Sequence, residues 1–302
     1  MAKHHNHKHG HTHDTSNIKV AFFINLLFTI IEIIGGVMTN SIAILSDAVH
    51  DLGDSLSLGL AWYFQNYSKR KRSPSFSYGY GRFSLLGAII NSIVLVVGSI
   101  FIFIEAIPRL IHPQQPETQG MMILAVLGVV FNGAAVLRLK KGTSVNERVV
   151  SLHLLEDVLG WVAVLIGSII MHFFDIPIID PILSLGIALF ILVNVYKNLK
   201  EAIQIVMQGV PDDTDVKEVE HRLISYPEIK EIHDIHVWSM DGEYNIMTAH
   251  VVVHHKGSLK ELEPLKKKIR QDLEELHIEH VTLEFEVVEE NCSIIDSLNS
   301  II

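Results

Sequence analysis

The chain has 302 residues, of which 49% are hydrophobic and only one is cysteine, and its formal net charge is −10. Cys292 alone builds neither a disulfide framework nor a Cys-rich zinc site. An acidic balance excludes a nucleic-acid binder, because phosphate contacts require a basic surface. The charge is also uneven: residues 208–302 carry 9 Lys+Arg and 21 Asp+Glu, a formal net of −12, while the long apolar runs fall within 18–207. Two units are expected, a membrane domain and a soluble acidic tail.

The first residues are polar and lack the apolar core of a signal peptide. His4, His5, His7, His9, His11 and His13 make a histidine-rich tract. It is either a purification tag or a natural low-complexity segment, and its irregular interruptions favour the latter. Such tracts hold Zn²⁺ or Ni²⁺ loosely. Six segments then approach the ~20 apolar residues a helix needs to cross a bilayer. They are Ile18–Met38, Ser41–Phe64, Phe83–Ile107, Gly120–Leu139, Val150–Phe174 and Ile178–Tyr196. Basic residues gather in alternate loops: Lys69 to Arg72 and Arg82 after the second span, Arg138, Lys140, Lys141 and Arg148 after the fourth, Lys197 and Lys200 after the sixth. The opposite loops hold only Arg109. By the positive-inside rule both termini are cytoplasmic.

The tail pattern predicts α-β-β-α-β over 212–290. Val216–Ser225 is an amphipathic helix, Glu231–Ser239 and Tyr244–His254 alternate as strands around Asp241-Gly242, Leu259–Leu276 is a second helix and Val281–Val288 a last strand. The expected organisation is a histidine-rich tail (1–16), a transport domain of six transmembrane helices (17–207), a cytoplasmic domain (208–291) and a C-terminal tail (292–302).

Ionisable groups at mid-bilayer cost about 2.5–3.5 kcal/mol each on insertion scales. The second span nevertheless holds Asp47, His50, Asp51 and Asp54, and the fifth holds His153, Glu156 and Asp157. His50 and Asp54 stand at i, i+4, so they leave one helix face a turn apart, and His153 and Asp157 repeat that spacing. Two such pairs facing each other form a four-ligand N/O shell that suits Zn²⁺. A single pair is as readily a polar helix–helix contact; two copies on two spans point to metal. Asp47 lies on the same face, either lining a water path or acting as a hydrogen-bonded gate. Asp51 and Glu156 receive no role. Glu32, Glu105, Asn25, Asn91 and Asn132 read as interhelical hydrogen-bond groups, with Asn25 and Asn132 also candidates beside the pathway.

The order of these motifs resembles the cation diffusion facilitator family, in its bacterial zinc- and cadmium-exporting branch. The resemblance is carried by Ser46-Asp47-Ala48-Val49-His50-Asp51-Leu52-Gly53-Asp54, by His153-Leu154-Leu155-Glu156-Asp157, by Phe76-Ser77-Tyr78-Gly79-Tyr80-Gly81-Arg82, by Asp180-Pro181 and by His233-Asp234-Ile235-His236-Val237-Trp238. It implies a homodimeric metal/proton antiporter of the bacterial inner (plasma) membrane, not an enzyme, with a ferredoxin-like cytoplasmic domain. It also implies His50, Asp54, His153 and Asp157 as the transport site for Zn²⁺, with Cd²⁺ and Co²⁺ as further substrates and protons as counter-ion. His233 and His250 match positions of a regulatory metal site, and Glu284 and Glu286 stand where relatives place His, an acid or Gln. A loop-borne site of some relatives is replaced here by Ser73, Phe76 and Tyr80. Ser84 also departs from the usual Glu. Two other expectations compete: a carrier for Mn²⁺, Ni²⁺, Co²⁺ or Fe²⁺, and a membrane metal sensor that binds without transport. A zinc hydrolase would require an open coordination position and often an HExxH motif, which the sequence lacks.

Overall fold

The computed structural model describes residues 15–68, 72–139, 145–254 and 260–288. The histidine tract, Cys292, the C-terminal tail, Lys69 to Lys71, and Lys140 and Lys141 lie outside the described residues. Six long helices come first: α1 (Thr15–Met38), α2 (Ile42–Ser68), α3 (Phe83–Ile111), α4 (Thr118–Leu139), α5 (Val145–Phe174) and α6 (Ile179–Val206). They coincide with the six apolar segments of the sequence. Four are long and apolar enough to cross a membrane over Phe83–Ile111, Thr118–Leu137, Leu154–Phe174 and Ile179–Val206, and α1 adds the shorter apolar stretch Phe22–Met38. α2 is not among them, and it carries Asp47, Asp51 and Asp54. Large apolar side chains stand exposed around these helices, among them Leu27, Ile93, Phe101 and Leu189. A water-facing surface would not keep so many, so the helices fit a polytopic membrane protein.

The chain divides into two compact units, one within Met1–Tyr67 and Leu86–Leu199, the other within Ser68–Leu85 and Lys200–Ile302. In the first, α1 and α2 are joined by a tight turn in which Asn40 takes a left-handed φ of 52°, a conformation Asn tolerates better than most residues. Close approaches set the helix spacing. A Cβ on Gly128 of α4 would stand 2.2 Å from the Trp161 ring of α5, and one on Gly53 of α2 would stand 2.5 Å from Leu95 of α3. Trp161 is buried at the centre of a cluster with Ile44, Met121, Ala125 and Val164.

The second unit holds α7 (Val216–Ile224), β1 (Ile229–Ser239), β2 (Asn245–Val253), α8 (Glu263–Glu274) and β3 (His280–Val287), the α-β-β-α-β order expected. Asp215 caps α7 by accepting from the Lys217 N–H at 2.9 Å, satisfying one orphan amide of the first turn. α8 starts at Glu263, later than the apolar periodicity places it. Pro264 occupies its first turn, and the chain enters through a turn at 260–262; proline has no N–H to bond a preceding turn and fits only the first turn of a helix, so the helix does not extend further back. The sheet order is β1-β2-β3, with β1 antiparallel and β3 parallel to β2. The helices bury Leu223, Met247, Val251, Ile269, Leu273 and Ile278 completely against the sheet, each worth about 1.5–3 kcal/mol. Tyr226 donates to the Asp272 carboxylate; burial and that carboxylate hold its phenol well above the usual tyrosine range.

Residues of the α2–α3 connection belong to this second unit. The Tyr78 ring meets His280 edge-on at 5.7 Å. Ser73 and Tyr80, at two of the positions expected to lack a metal site, share a hydrogen bond of 3.2 Å between their hydroxyls, and Phe76 packs on Tyr80 with ring centroids 4.7 Å apart.

Candidate metal centres

The first centre lies between α2 and α5. Ligand-capable atoms of His50, Asp54 and Asp157 all lie within 4.8 Å of one another. His50 Nε2 stands 3.5 Å from Asp157 Oδ1 and 3.9 Å from Asp54 Oδ2. The i, i+4 spacing accounts for the α2 pair, and the packing of α5 against α2 brings the third group. His153 falls in α5 one turn before Asp157; its side chain lies outside the described residues. Asp157 is 9% exposed, and its Oδ1 has no hydrogen bond among the described residues. The His50 ring nitrogen faces that oxygen from 3.5 Å, and a cation between the two would satisfy the buried carboxylate. Carboxylate oxygens and an imidazole nitrogen are both donors that Zn²⁺ accepts.

Surrounding groups separate into those that face this centre and those that brace it. Asp47 is buried, and its Oδ2 also lacks a hydrogen bond among the described residues. It lies against Gly160 of α5, where a Cβ would come 3.6 Å from Oδ1. Asp47, His50, Glu156 and Asp157 share the wall of a cavity of about 380 Å³ with Gly186 and Ile187 of α6. Asn25 braces α2 instead: its amide donates to the Asp51 carbonyl and to Ser55 Oγ, both at 3.1 Å. Asn132 is buried on α4 with its amide nitrogen unpartnered among the described residues. Glu32 is buried on α1 beside Asp51, while Glu105 is exposed on α3.

The second centre is on the sheet of the other unit. Antiparallel pairing sets His233 of β1 directly opposite His250 of β2, and parallel pairing sets Glu284 of β3 opposite His250. His250 Nδ1 bonds Glu286 Oε1 at 2.5 Å, and His233 Nε2 stands 3.4 Å from Glu286 Oε2. His233, His250 and Glu286 therefore form the compact group of three. Glu284 reaches His250 at 3.6 Å but is 71% exposed. The sequence offers both glutamates as candidates. The alternation of β3 puts both on one face, and Glu286 is the one the fold buries, with 7% of its side chain exposed. Neither ring nitrogen of His233 has a hydrogen bond among the described residues. A bulge between His233 and His236 puts Asp234 at φ 51°, from which its carboxylate meets His236 at 2.9 Å and His250 at 3.8 Å.

Apolar helices around a buried His/carboxylate cluster, followed by a metal-competent α/β unit, define a membrane protein that handles cations. The profile of the cation efflux transmembrane domain matches residues 18–207, and that of the cation efflux protein cytoplasmic domain matches 211–287. The chain belongs to the cation efflux family, a family of transporters. It is similar to the "Cadmium, cobalt and zinc/H(+)-K(+) antiporter" of Bacillus velezensis, with 33% identity over 291 residues, 95% of this chain and 93% of that one. It is similar to the "Metal cation efflux system protein CzcD" of Cupriavidus metallidurans, with 34% identity over 285 residues, 92% and 90% of the two chains. The "Zinc transporter ZitB" of Escherichia coli is 32% identical over 296 residues, 95% and 93% of the two chains. A solved structure of the metal-bound C-terminal domain of the CzcD transporter matches 24% of this chain and 99% of its own, at 34% identity and a TM-score of 0.22.

Proposed function

We propose that this protein exports Zn²⁺ from the cytoplasm, with Cd²⁺ and Co²⁺ as further substrates, in exchange for protons. The observation that carries this reading is the convergence of His50, Asp54 and Asp157 from two helices on one small volume. His153 supplies the fourth ligand, by its place one turn before Asp157. The metal is cargo, held by four groups that must shed protons to bind it. Binding and protonation at these groups therefore exclude each other, and histidine makes the exchange feasible near neutral pH. Helices rock so that the centre faces each side in turn. On the outer side protons displace the metal and reset the carrier.

In this reading all six helices span the membrane, α2 being tolerated because its acids face the protein interior. The division is a histidine-rich tail (1–16), a transport domain (17–207), a ferredoxin-like cytoplasmic domain (208–291) and a C-terminal tail (292–302). Both termini face the cytoplasm of a bacterial plasma membrane, and the cytoplasmic domains associate as a homodimer. His233, His250 and Glu286, with Glu284 at the rim, form a regulatory centre. Metal there would offset repulsion between two acidic tails and so bias the carrier.

The test is Zn²⁺ flux into proteoliposomes under an imposed pH gradient, comparing wild type with His50→Ala. Flux that follows the gradient and is lost in the variant supports the exporter. Zinc binding without flux in either direction leaves a sensor and rejects it.

A further inference from the structure

Asp180 opens α6 as part of the Asp180-Pro181 motif, and the metal centre does not use it. Its side chain is 2% exposed and is aimed at the start of α2. The carboxylate accepts from Ser41 Oγ at 2.5 Å, from the Ile42 N–H at 2.8 Å and from the Ala43 N–H at 3.2 Å. Those amides belong to the first turn of α2, whose donors find no carbonyl within their own helix. Ser41 Oγ also accepts from the Ile44 N–H at 3.2 Å. The helix thus begins on a double cap, a hydroxyl of its own and a carboxylate from well over a hundred residues away.

A second tie follows one turn on, where Ser46 Oγ donates to the Ser184 carbonyl at 3.2 Å. Successive turns of α2 meet successive turns of α6, so the two helices run in the same direction with their N-terminal ends side by side. Those ends carry like partial charges, and one carboxylate between them offsets the repulsion. The preceding turn is held independently. The Asn40 carbonyl accepts from Arg109 Nη1 at 2.9 Å, and the Thr39 carbonyl from the Glu117 N–H at 2.8 Å. With its start fixed, α2 presents His50 and Asp54 about 12 and 18 Å along its axis, at 1.5 Å per residue.

We infer that Asp180 is a positioning residue for metal transport: it caps α2 from α6 and locks the two helices together, so that His50 and Asp54 sit at the depth of Asp157. This rests on the transport reading of that centre. Asp180 acts as a hydrogen-bond acceptor, neither as a metal ligand nor as a proton carrier. Asparagine keeps an acceptor oxygen and alanine keeps none, which makes the two substitutions diagnostic.

The experiment is zinc flux in proteoliposomes of the full chain, resolved into kcat and KM, with melting of the purified protein as a check on folding. Asp180→Asn is expected to keep at least a tenth of the wild-type kcat/KM. Asp180→Ala is expected to lose about a hundredfold, most of it as a rise in KM, because the ligands no longer converge. Ser41→Ala, which deletes the bond to Asp180 and the Ile44 cap but leaves both amide bonds of the carboxylate, is expected to raise KM several-fold, and it decides the matter if Asp180→Ala does not fold. Wild-type kinetics in Asp180→Ala, an unchanged KM in Ser41→Ala, or an Asn variant as inactive as the Ala variant would each overturn the proposal; the last would mean that the charge itself is required. Absence of flux in the wild type sinks the transport reading and this inference with it, whereas wild-type flux with an unaffected Asp180→Ala sinks this inference alone.

Discussion

Asp157→Asn is the sharpest test of the membrane centre, because it removes a charge and a ligand while leaving volume unchanged. An ion equidistant from three atoms no more than 4.8 Å apart lies within about 2.8 Å of each. At an effective dielectric near 20, a dication and one carboxylate at that distance attract by roughly 12 kcal/mol before desolvation. Most of that is cancelled by stripping water from both partners. What survives when one member of a buried, paired charge set is deleted is about 3–5 kcal/mol. At about 1.4 kcal/mol per decade that corresponds to a loss of roughly 10²- to several-thousand-fold in zinc affinity, and of the same order in kcat/KM. The asparagine amide cannot reproduce the interaction: its oxygen is neutral and its nitrogen is a donor. Packing is conserved, so melting of the purified protein should change little. The assay is initial-rate zinc uptake into proteoliposomes across a zinc titration. A variant that transports with wild-type kcat/KM would refute the assignment of Asp157 as a ligand.

Glu286→Gln and Glu284→Gln should separate at the cytoplasmic centre. In an Asp157→Asn background, calorimetry should show at least tenfold weaker zinc binding for Glu286→Gln, which loses a buried donor, and less than about threefold for the largely exposed Glu284; equal effects would contradict the geometry. Gly128→Val places a branched side chain where a Cβ already falls 2.2 Å from the Trp161 ring. Overpacking of that kind costs about 1–3 kcal/mol, so the melting temperature should drop by several degrees and partly recover in the double variant with Trp161→Ala. Tyr226→Phe removes a hydrogen bond to Asp272 and should cost about 1 kcal/mol at neutral pH. The folded-state phenol is raised, so this contribution is full below the usual tyrosine range and falls away as pH climbs through it; denaturation at pH 7 and pH 11 reads the difference.

The helices were legible because the bilayer demands long apolar runs, and six runs became six helices. The pairing of His50 with Asp54 was legible because i, i+4 spacing is a property of one helix. What the spacing could not reveal is which residues of other elements complete each centre. Asp180 reaches the start of α2 across most of the membrane unit, and only three-dimensional packing declares the partnership; the Asp180-Pro181 motif marked a position without disclosing what it touches. Glu284 and Glu286 share a face of β3, so alternation alone does not choose between them. The choice comes from burial: Glu286 is enclosed beside both histidines, while Glu284 points to solvent. α8 illustrates a different limit, since its apolar pattern extends back beyond Pro264 but the backbone does not follow it.

The two centres use the same donor types and differ in what holds the donors together. His233 and His250 are directly paired across an antiparallel ladder, and β3 is bonded in register alongside. Every backbone between these ligands is hydrogen-bonded to the next, so the centre cannot open without breaking the sheet. His50 and Asp157 stand on separate helices whose backbone hydrogen bonds are satisfied internally. At that level α2 and α5 meet through side chains, the His50–Asp157 pair among them, so a small rotation of one helix against the other would separate these groups without breaking a backbone hydrogen bond. The tie from Asp180 then becomes consequential: it joins α2 to α6, so on the proposed mechanism the α2–α5 contact would be the seam that parts. A rigid donor set on the sheet and a divisible one between helices follow from the difference between strands and helices, with no difference in donor chemistry required.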